Sequence, residues 1–241
     1  MRIDIWSDIV CPFCYLGKER LTRALAAWEH GDEVAIVWHS FELDPSAPRE
    51  RAESMAEHLA AKYGMSVQQA EESQRSLAEQ FAVAGLTFAW ERARTGNTFD
   101  AHRVVHLAAE QGRAAEVVER LMRGYFSEGA AIGDAAVVTA LATEAGLDAA
   151  EVERVLASDA YADAVRADEA QATQLGARGV PFFVLDGRLG LSGAQPVEVF
   201  SQALEEAWST REVVLKPVAG DPDAAACEPG GACALPPTGG R

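Results

Sequence analysis

Apolar positions near both ends of the chain follow strand-like patterns. Residues 2–7 alternate in part, with apolar side chains at Ile3 and Ile5, and predict a first strand. Residues 34–38, "VAIVW", form a nearly continuous apolar run that predicts a buried strand. Further on, "VPFFVLDGRLGLSG" from Val180 predicts two strands joined by an Asp-Gly turn, which is a β-hairpin.

Helical spacing separates the first two predicted strands. Within residues 14–30, Leu16, Leu21 and Leu25 recur at nearly helical intervals, and Gly31 is placed where a left-handed helix cap is expected. A strand, a helix and a second strand within about 40 residues predict a right-handed βαβ unit with parallel strands.

The middle of the chain is helical in composition. From about residue 50 to residue 174 we predict five or six alanine-rich helices, and five glycines interrupt them: Gly64, Gly85, Gly112, Gly133 and Gly146. After the hairpin, "QPVEVFSQALEEAW" predicts a last helix with Pro196 near its first turn.

Taken together, these patterns predict an α/β domain interrupted by a helical insertion. We predict the α/β domain over residues 1–48 and 158–216 and the all-helical insertion over residues 49–157. Residues 217–241 are dominated by proline, glycine and alanine, and predict a flexible tail.

Charge and composition narrow the class of partner. The chain has 241 residues and a net charge of -16, with 37 acidic against 21 basic side chains. Such a surface repels nucleic acid and anionic membranes, so we expect neither as a partner. No run approaches the roughly 18 apolar residues of a membrane helix, and the start "MRIDIWSD" does not resemble a secretory leader. We therefore expect a cytoplasmic protein, where close cysteine pairs are more often redox or metal groups than static disulfides.

The segment "DIVCPFCYLG" carries the clearest chemistry. Cys11 lies at the predicted junction of strand and helix, where unpaired backbone N–H groups stabilise the negative charge of a thiolate. Cys14, one turn later, can reach the same sulfur and act as a resolving thiol. Pro12 is tolerated in a first helical turn. Asp8 either opposes the thiolate charge or accepts a proton from the resolving cysteine.

A second element, "GVPFF", places Pro181 at the entry to a strand, as a proline near a sheet requires. Four separated segments in this order resemble the DsbA-like thioredoxin-fold oxidoreductases: "DIVCPFCYLGK", "FELDP", "NTFDAHRV" and "GVPFFVLDGRLGLSGAQP". Their longer signatures resemble the FrnE-like branch, and the resemblance covers about residues 1–215. It implies a thioredoxin fold, βαβ…ββα, with a helical insertion.

The resemblance also implies roles for individual residues. Cys11 would be the nucleophile, Cys14 would resolve the mixed disulfide, and Pro181 would be the family's cis-proline. Val180 would offer backbone groups to a peptide bound like an added strand. We count Pro12 and Phe13, between the cysteines, with Val180 as candidate substrate-binding residues. The segment 97–103, "NTFDAHR", would lie near the active-site face, with no role assigned to its side chains.

A related branch, the kappa-class glutathione transferases and hydroxychromene carboxylate isomerases, shares this architecture and resembles the chain around "NTFDAHR". That branch has a serine where this sequence has Cys11, and an acidic-arginine pair where this sequence has "SGAQP". These differences argue against a glutathione-dependent transferase or isomerase.

Two further cysteines, Cys227 and Cys233, lie in the tail and are separated by "EPGGA". They are interpreted either as an auxiliary redox pair that exchanges with Cys11 and Cys14 or as incidental thiols. Their five-residue spacing exceeds that of a zinc knuckle, so we expect no metal site.

Histidine and aromatic side chains favour structural roles. His102 and His106 share a helix face but lack the glutamate of a metal hydrolase motif, and we expect them to pack beside the core. His39 is expected to be a satisfied polar group at a strand end. Four aromatic residues are expected in the core rather than in a peptide groove: Phe41, Phe88, Trp90 and Phe99.

The sequence therefore predicts a thiol–disulfide oxidoreductase or isomerase that needs no dissociable cofactor and acts on protein or small thiol and disulfide substrates. A glutathione-dependent enzyme and a non-catalytic, chaperone-like peptide binder remain alternatives. The oligomeric state and the direction of electron flow do not follow from the sequence.

Overall fold

A computed structural model describes residues 1–210 of the chain. Four strands and nine α-helices occur among these residues. In chain order they are β1 (Arg2–Ser7), α1 (Pro12–Ala26), β2 (Ala35–Ser40), α2 (Met55–Tyr63), α3 (Val67–Val83), α4 (Phe99–Glu110), α5 (Ala114–Arg123), α6 (Ala135–Glu144), α7 (Ala149–Leu156), α8 (Ala162–Gln174), β3 (Phe182–Leu185), β4 (Leu189–Ser192) and α9 (Val197–Ser209).

The strands form one mixed sheet in the order β2-β1-β3-β4. β1 pairs in parallel with β2, with Ile5 opposite Trp38, and antiparallel with β3, with Ile5 opposite Phe183. β3 and β4 form an antiparallel hairpin. The predicted βαβ unit, the hairpin and the last helix are thus confirmed, and so is an α/β fold with a helical insertion.

Helices cover both faces of the sheet. Ile3, Ile5 and Phe183 belong to a large buried cluster that also contains residues of α1 and α9. Trp6 and Phe182 point to the other face, where they pack against Ala172 of α8. This alternation follows the two-residue period of the strands. The sheet therefore forms the middle of three layers.

The first helix differs from its prediction at both ends. It begins at Pro12 and ends at Ala26, rather than spanning residues 14–30. Gly31 is not a left-handed cap; it begins a short 3₁₀ turn. A glycine is still required there, because an added Cβ would lie 2.2 Å from the carbonyl oxygen of Leu25.

The second strand is less buried than its apolar run predicts. β2 is at the edge of the sheet, and Ile36 is exposed while Trp38 is buried. A continuous apolar run is typical of a strand covered on both faces, so the prediction of a buried strand was wrong for the first half of β2.

Seven α-helices, α2 to α8, fall between residues 50 and 174, against the five or six predicted. Ser54 and Ser66 begin α2 and α3 with reciprocal capping boxes to Glu57 and Gln69, which explains why two helices form within a short stretch. A π-helical turn, Gly124–Glu128, continues α5.

Aromatic side chains join the first helix to the insertion. The Tyr15 ring stacks on Phe126 with centroids 5.6 Å apart and meets Phe81 edge-on at 5.9 Å. Phe88 packs against both phenylalanines. Because these rings belong to the same buried cluster as the sheet, the insertion is fixed beside the start of α1.

None of the helices described within residues 1–210 is long and apolar enough to cross a lipid bilayer.

Candidate active site

The two predicted catalytic cysteines meet at the start of α1. Cys11 is the N-cap residue in an extended conformation, and its carbonyl oxygen accepts a hydrogen bond from the Cys14 N–H at 3.0 Å. Pro12 occupies the first turn, as predicted. Cys11 and Cys14 are both free thiols, and they are 3% and 1% exposed respectively.

The Cys11 thiol points toward the loop before β3 rather than along the helix. Its S–H donates to the carbonyl oxygen of Val180, with sulfur and oxygen 3.6 Å apart. The sulfur does not cap the backbone N–H groups of the first helical turn. In this arrangement the thiol contacts the strand-forming segment that we expected to hold a bound peptide.

Burial raises the pKa of the Cys14 thiol well above its usual value. Contact with Cys11 acts in the same direction, whereas the Ser7 hydroxyl and the backbone of Asp8 oppose it. Because an apolar environment disfavours the thiolate, burial favours the neutral thiol form of Cys14.

The Val180–Pro181 peptide bond is cis, and Pro181 is buried against α1. Gly17 permits this approach, because an added Cβ there would lie 3.1 Å from both the Pro181 ring and the Phe183 ring. The Pro181 carbonyl oxygen accepts the Gly193 N–H at 2.8 Å, which ties the loop to the end of the hairpin. The fold thus brings Cys11, Val180 and Pro181 together, as the sequence predicted.

A buried acid–histidine pair lies next to the cysteines. Asp8 Oδ1 is 3.3 Å from His102 Nε2, and Asp8 Oδ2 accepts the Leu43 N–H at 2.8 Å. The backbone carbonyl of Asp8 accepts the Cys11 N–H at 3.2 Å. Asp8 therefore links residues 11–14, which we call the cysteine turn, to α4. His102 has a polar partner rather than only packing neighbours.

The other residues of "NTFDAHR" also have structural partners. The Asn97 amide donates to Glu42 at 3.2 Å, and Glu42 is paired with Arg166 at 2.5 Å. Arg103 donates to the Ala160 carbonyl oxygen at 2.8 Å, to the Val155 carbonyl in the last turn of α7 and to the Ser158 carbonyl just after it. These contacts hold the "FELDP" loop and α8 in place around the site.

His39 is a hydrogen-bonded polar residue near the end of β2, as predicted, and it has two carboxylate partners. Its ring nitrogens lie 2.7 Å from Asp168 Oδ1 and 2.7 Å from Asp4 Oδ1, and its ring stacks on Trp6. Burial lowers the pKa of His39, but the two carboxylates outweigh it and the net pKa is raised. Burial would raise the pKa of Asp168, yet hydrogen bonds from His106, His39 and the Ser40 N–H bring it well below its usual range.

A groove of about 770 Å³ opens beside Cys11. Pro12, Phe13 and Val180 line one side, and residues of α2, α3 and the π-helical turn line the other. Phe13 is 49% exposed at the rim. Of the four aromatic residues expected in the core, Phe88 is buried and also borders the groove.

Several groove residues were not identified from the sequence. They come from the insertion, far from the cysteines along the chain, and include Arg51, Lys62, Gln74, Thr95 and Tyr125. Within residues 1–210, no group of three or more histidine, cysteine or acidic side chains could hold a metal ion. Cys227 and Cys233 lie outside the described residues.

Known proteins resemble this chain over most of its length. A probable DsbA oxidoreductase of Streptomyces coelicolor is 50% identical over 98% of this chain and 99% of its own, with a TM-score of 0.84. The uncharacterized protein YwbO of Bacillus subtilis is 28% identical over 86% of this chain and 96% of its own. The cytosolic disulfide reductase DsbM of Pseudomonas aeruginosa, solved with GSH, shares the fold at 18% identity with a TM-score of 0.62, covering 87% of this chain and 100% of its own.

Residues 2–205 match the family described as the DSBA-like thioredoxin domain. That match spans the sheet, the cysteine turn, the helical insertion and most of α9. The chain therefore belongs to the DSBA-like thioredoxin domain family.

Proposed function

We propose that the protein is a thiol–disulfide oxidoreductase of the FrnE-like branch, acting in the cytoplasm on protein disulfides. Cys11 is the nucleophile and Cys14 the resolving thiol. The observation that carries the proposal is the placement of Cys11: it begins α1, borders the groove and contacts the Val180 carbonyl oxygen beside the cis-proline.

Exchange with a substrate disulfide proceeds in two balanced steps. The Cys11 thiolate attacks one substrate sulfur, so that a mixed disulfide forms and the other substrate sulfur leaves as a thiolate. Cys14 then loses its proton and attacks the Cys11 sulfur. This step forms the Cys11–Cys14 disulfide and releases the second substrate thiolate, so the substrate is reduced and the protein oxidised. The reverse sequence oxidises a dithiol substrate.

The separation of roles follows from the surroundings of the two sulfurs. Cys11 borders the groove, where a substrate can reach it, whereas Cys14 lies behind it and is held neutral by burial. A neutral Cys14 does not displace the substrate at once, so the mixed disulfide persists until Cys14 is deprotonated. Val180 and the exposed Phe13 flank Cys11 and are the candidate contacts for the substrate chain.

The test is insulin reduction, measured as turbidity in the presence of dithiothreitol. We expect the wild type to accelerate it and Cys11→Ser to return it to the uncatalysed rate, because no other described thiol borders the groove. Cys14→Ser should accumulate a mixed disulfide with insulin that non-reducing electrophoresis detects. Equal rates for the wild type and Cys11→Ser would refute the proposal.

We also propose that Cys227 and Cys233 form an auxiliary redox pair. The support is their spacing in the sequence, with two glycines and a proline between them. The Cys227→Ser/Cys233→Ser double variant should leave the first, single-turnover exchange at Cys11 unchanged and alter the number of substrate disulfides processed per added oxidant or reductant. An unchanged multiple-turnover yield would contradict this role.

A further inference from the structure

Several polar side chains on the insertion side of the groove have no hydrogen-bond or ion-pair partner within residues 1–210. We call the five groove residues Arg51, Lys62, Gln74, Thr95 and Tyr125 the insertion wall. The phenol of Tyr125 forms no hydrogen bond with any residue of the described part of the chain, although the side chain is only 1% exposed. The Thr95 hydroxyl is buried and likewise unpartnered within residues 1–210.

Gln74 departs from the pattern of its own helix. It occupies the buried face of α3 with Ala70, Leu77 and Phe81, at the spacing of an apolar stripe. It is 7% exposed, and its amide makes no hydrogen bond to another described residue. Because Gln74 lines the groove, the hydrogen bonds of its amide are left to water or to a ligand there.

The insertion wall contributes two basic side chains to a groove that Asp8 and Asp44 also line. The chain carries a net charge of -16, yet Arg51 and Lys62 border the groove. Arg51 is paired with Asp44 at 2.6 Å, whereas Lys62 forms no ion pair with any residue between 1 and 210. The Lys62 ammonium lies 5.8 Å from the centre of the Tyr63 ring, at the groove rim. The wall thus offers a cation and several hydrogen-bond donors to an incoming group.

Apolar side chains complete the surface between Cys11 and this wall. Phe13, Leu43, Tyr63 and Met65 all border the groove and are at least one-third exposed. An extended chain that meets Cys11 beside the Val180 carbonyl oxygen can place apolar side chains on this rim and a polar side chain in the wall. A cavity of about 770 Å³ is large enough for a segment of several residues.

We propose that the insertion wall selects polypeptide substrates that carry a carboxylate side chain close to the reactive cysteine. The carboxylate binds Lys62 and accepts hydrogen bonds from Gln74 and Tyr125, which satisfies the unpartnered donors. This inference rests on the proposed function, because it names the substrate class of the same site. It assigns the specificity to the helical insertion rather than to the cysteine turn.

The test compares three disulfide-bonded peptides that differ only in an aspartate, asparagine or lysine two positions from the cysteine. Each is mixed with reduced protein in a single turnover, and rates are divided by those with dithiothreitol, so that intrinsic reactivity cancels. We expect the aspartate peptide to react roughly three- to five-fold faster than the asparagine peptide, the range of a partly exposed charge pair, and the lysine peptide to be slowest.

Matched variants locate the effect. Lys62→Gln should reduce the aspartate preference to about one, while Arg75→Gln should retain it, because Arg75 pairs with Glu71 on the outer face of α3 and changes net charge equally. Gln74→Leu and Tyr125→Phe should each slow the aspartate peptide more than the asparagine peptide. Circular dichroism checks that each variant folds.

The outcomes separate this inference from the proposed function. If the wild type reduces all three peptides at equal normalised rates, exchange stands and the specificity is wrong. If Arg75→Gln loses as much preference as Lys62→Gln, the effect is the general field and the assignment to the wall is wrong. If a Lys62-dependent preference holds for mixed disulfides of mercaptosuccinate but not for the peptides, the choice of a polypeptide is wrong. If no peptide is reduced at all, the proposed function itself fails.

Binding without chemistry gives an independent measurement. A variant with serine at all four cysteines, Cys11, Cys14, Cys227 and Cys233, cannot exchange, so fluorescence anisotropy reports affinity alone for labelled, reduced forms of the three peptides. The aspartate peptide should bind roughly three- to five-fold more tightly than the asparagine peptide, and added Lys62→Gln should remove the difference. Equal affinities would overturn the proposal.

Discussion

Two sulfur atoms one helical turn apart lie in different surroundings. Both are buried in the same cluster, but Cys11, at 3% exposed, borders the groove, whereas Cys14, at 1% exposed, does not. Burial raises the pKa of the Cys14 thiol. Only an ionised thiol reacts with an alkylating reagent or attacks a disulfide. In the proposed exchange, the order of the two steps therefore follows from the positions of the two sulfurs rather than from the chemistry of the residues.

This difference is measurable by alkylation of Cys14 in the Cys11→Ser variant. A thiol whose pKa is raised holds less thiolate near neutral pH than free cysteine does. We expect Cys14 to react with iodoacetamide at pH 8 clearly more slowly than free cysteine, as followed by mass spectrometry of Cys14 peptides. A rate equal to that of free cysteine would show that burial does not control this thiol.

Asp8 and His102 give a second test at the residue scale. The carboxylate accepts the Leu43 N–H and faces His102 in a buried setting. Asp8→Leu leaves both partners unsatisfied, and we expect it to lower the free energy of unfolding in urea by about 3 kcal/mol. Asp8→Asn should cost less, because its amide oxygen can still accept the Leu43 N–H.

The matched control is Asp163→Leu, since Asp163 is an exposed residue of α8. It should change the free energy of unfolding by less than about 1 kcal/mol. Equal losses at the two aspartates would mean that the Asp8–His102 pair does not stabilise the cysteine turn.

The sequence indicated which residues meet at the start of α1 but not all of their surroundings. Cys11, Cys14 and Pro181 were predictable because each departs from what a plain strand or helix would have at that place. The pairing of Asp8 with His102 joins residues 94 positions apart and has no local signal. Gln74 did leave a signal, because it interrupts the 70, 77 and 81 stripe of α3, but a glutamine in an amphipathic helix is ordinarily assigned to the polar face.

At the scale of elements, α1 and β3 depend on one close contact. Gly17 allows Pro181 and Phe183 to pack on the helix, with only 3.1 Å between an added Cβ and either ring. Gly17→Ala should displace the loop that carries Val180 and Pro181. We expect a loss of about 1–3 kcal/mol in unfolding free energy, typical of an overpacked core, and slower insulin reduction.

Gly190→Ala is the control in the same sheet, because its added Cβ would lie 3.4 Å from the Phe182 ring, at the limit of ordinary contact. It should leave insulin reduction unchanged. If the two alanine variants reduce insulin equally well, the position of the Pro181 loop against α1 does not matter for exchange.

Element prediction succeeded where local pattern and tertiary structure agree. β1, the hairpin and α9 follow their apolar periods closely. α1 ends before its apolar period does, since Trp28 leaves the helix to meet Trp208 of α9 with ring centroids 5.3 Å apart. β2 has a core-like composition but an edge position, and strand order is a property of the sheet that residues 34–38 do not encode.

At the scale of the molecule, a partly buried charge cluster joins the sheet to the helices around it. His39 of β2 lies between Asp4 of β1 and Asp168 of α8, and His106 of α4 is 3.1 Å from Asp168. Breaking a buried pair leaves its partners uncompensated and is strongly destabilising. The cluster therefore couples the stability of the whole fold to pH.

The sign of this coupling follows from the two pKa directions. His39 has a raised pKa in the folded state, so its contribution is complete below about pH 6.5, the unfolded value, and is lost as pH rises through the folded pKa. Asp168 has a lowered pKa, so its contribution is complete above about pH 4 and is lost as pH falls further. Together they stabilise the fold most between these limits.

His39→Gln should accordingly cost more at pH 6 than at pH 9. In urea unfolding we expect a loss of about 2–3 kcal/mol at pH 6, where the charged ring is paired with two carboxylates, and a smaller loss at pH 9. His58→Gln is a control of opposite sign: burial, with Arg51 and Lys62 nearby, lowers the pKa of His58, so its protonation favours unfolding. That variant should therefore gain stability relative to the wild type as pH falls from 8 to 5. A cost of His39→Gln that does not change between pH 6 and pH 9 would show that the cluster stabilises the fold by packing and hydrogen bonding, without the charge on His39.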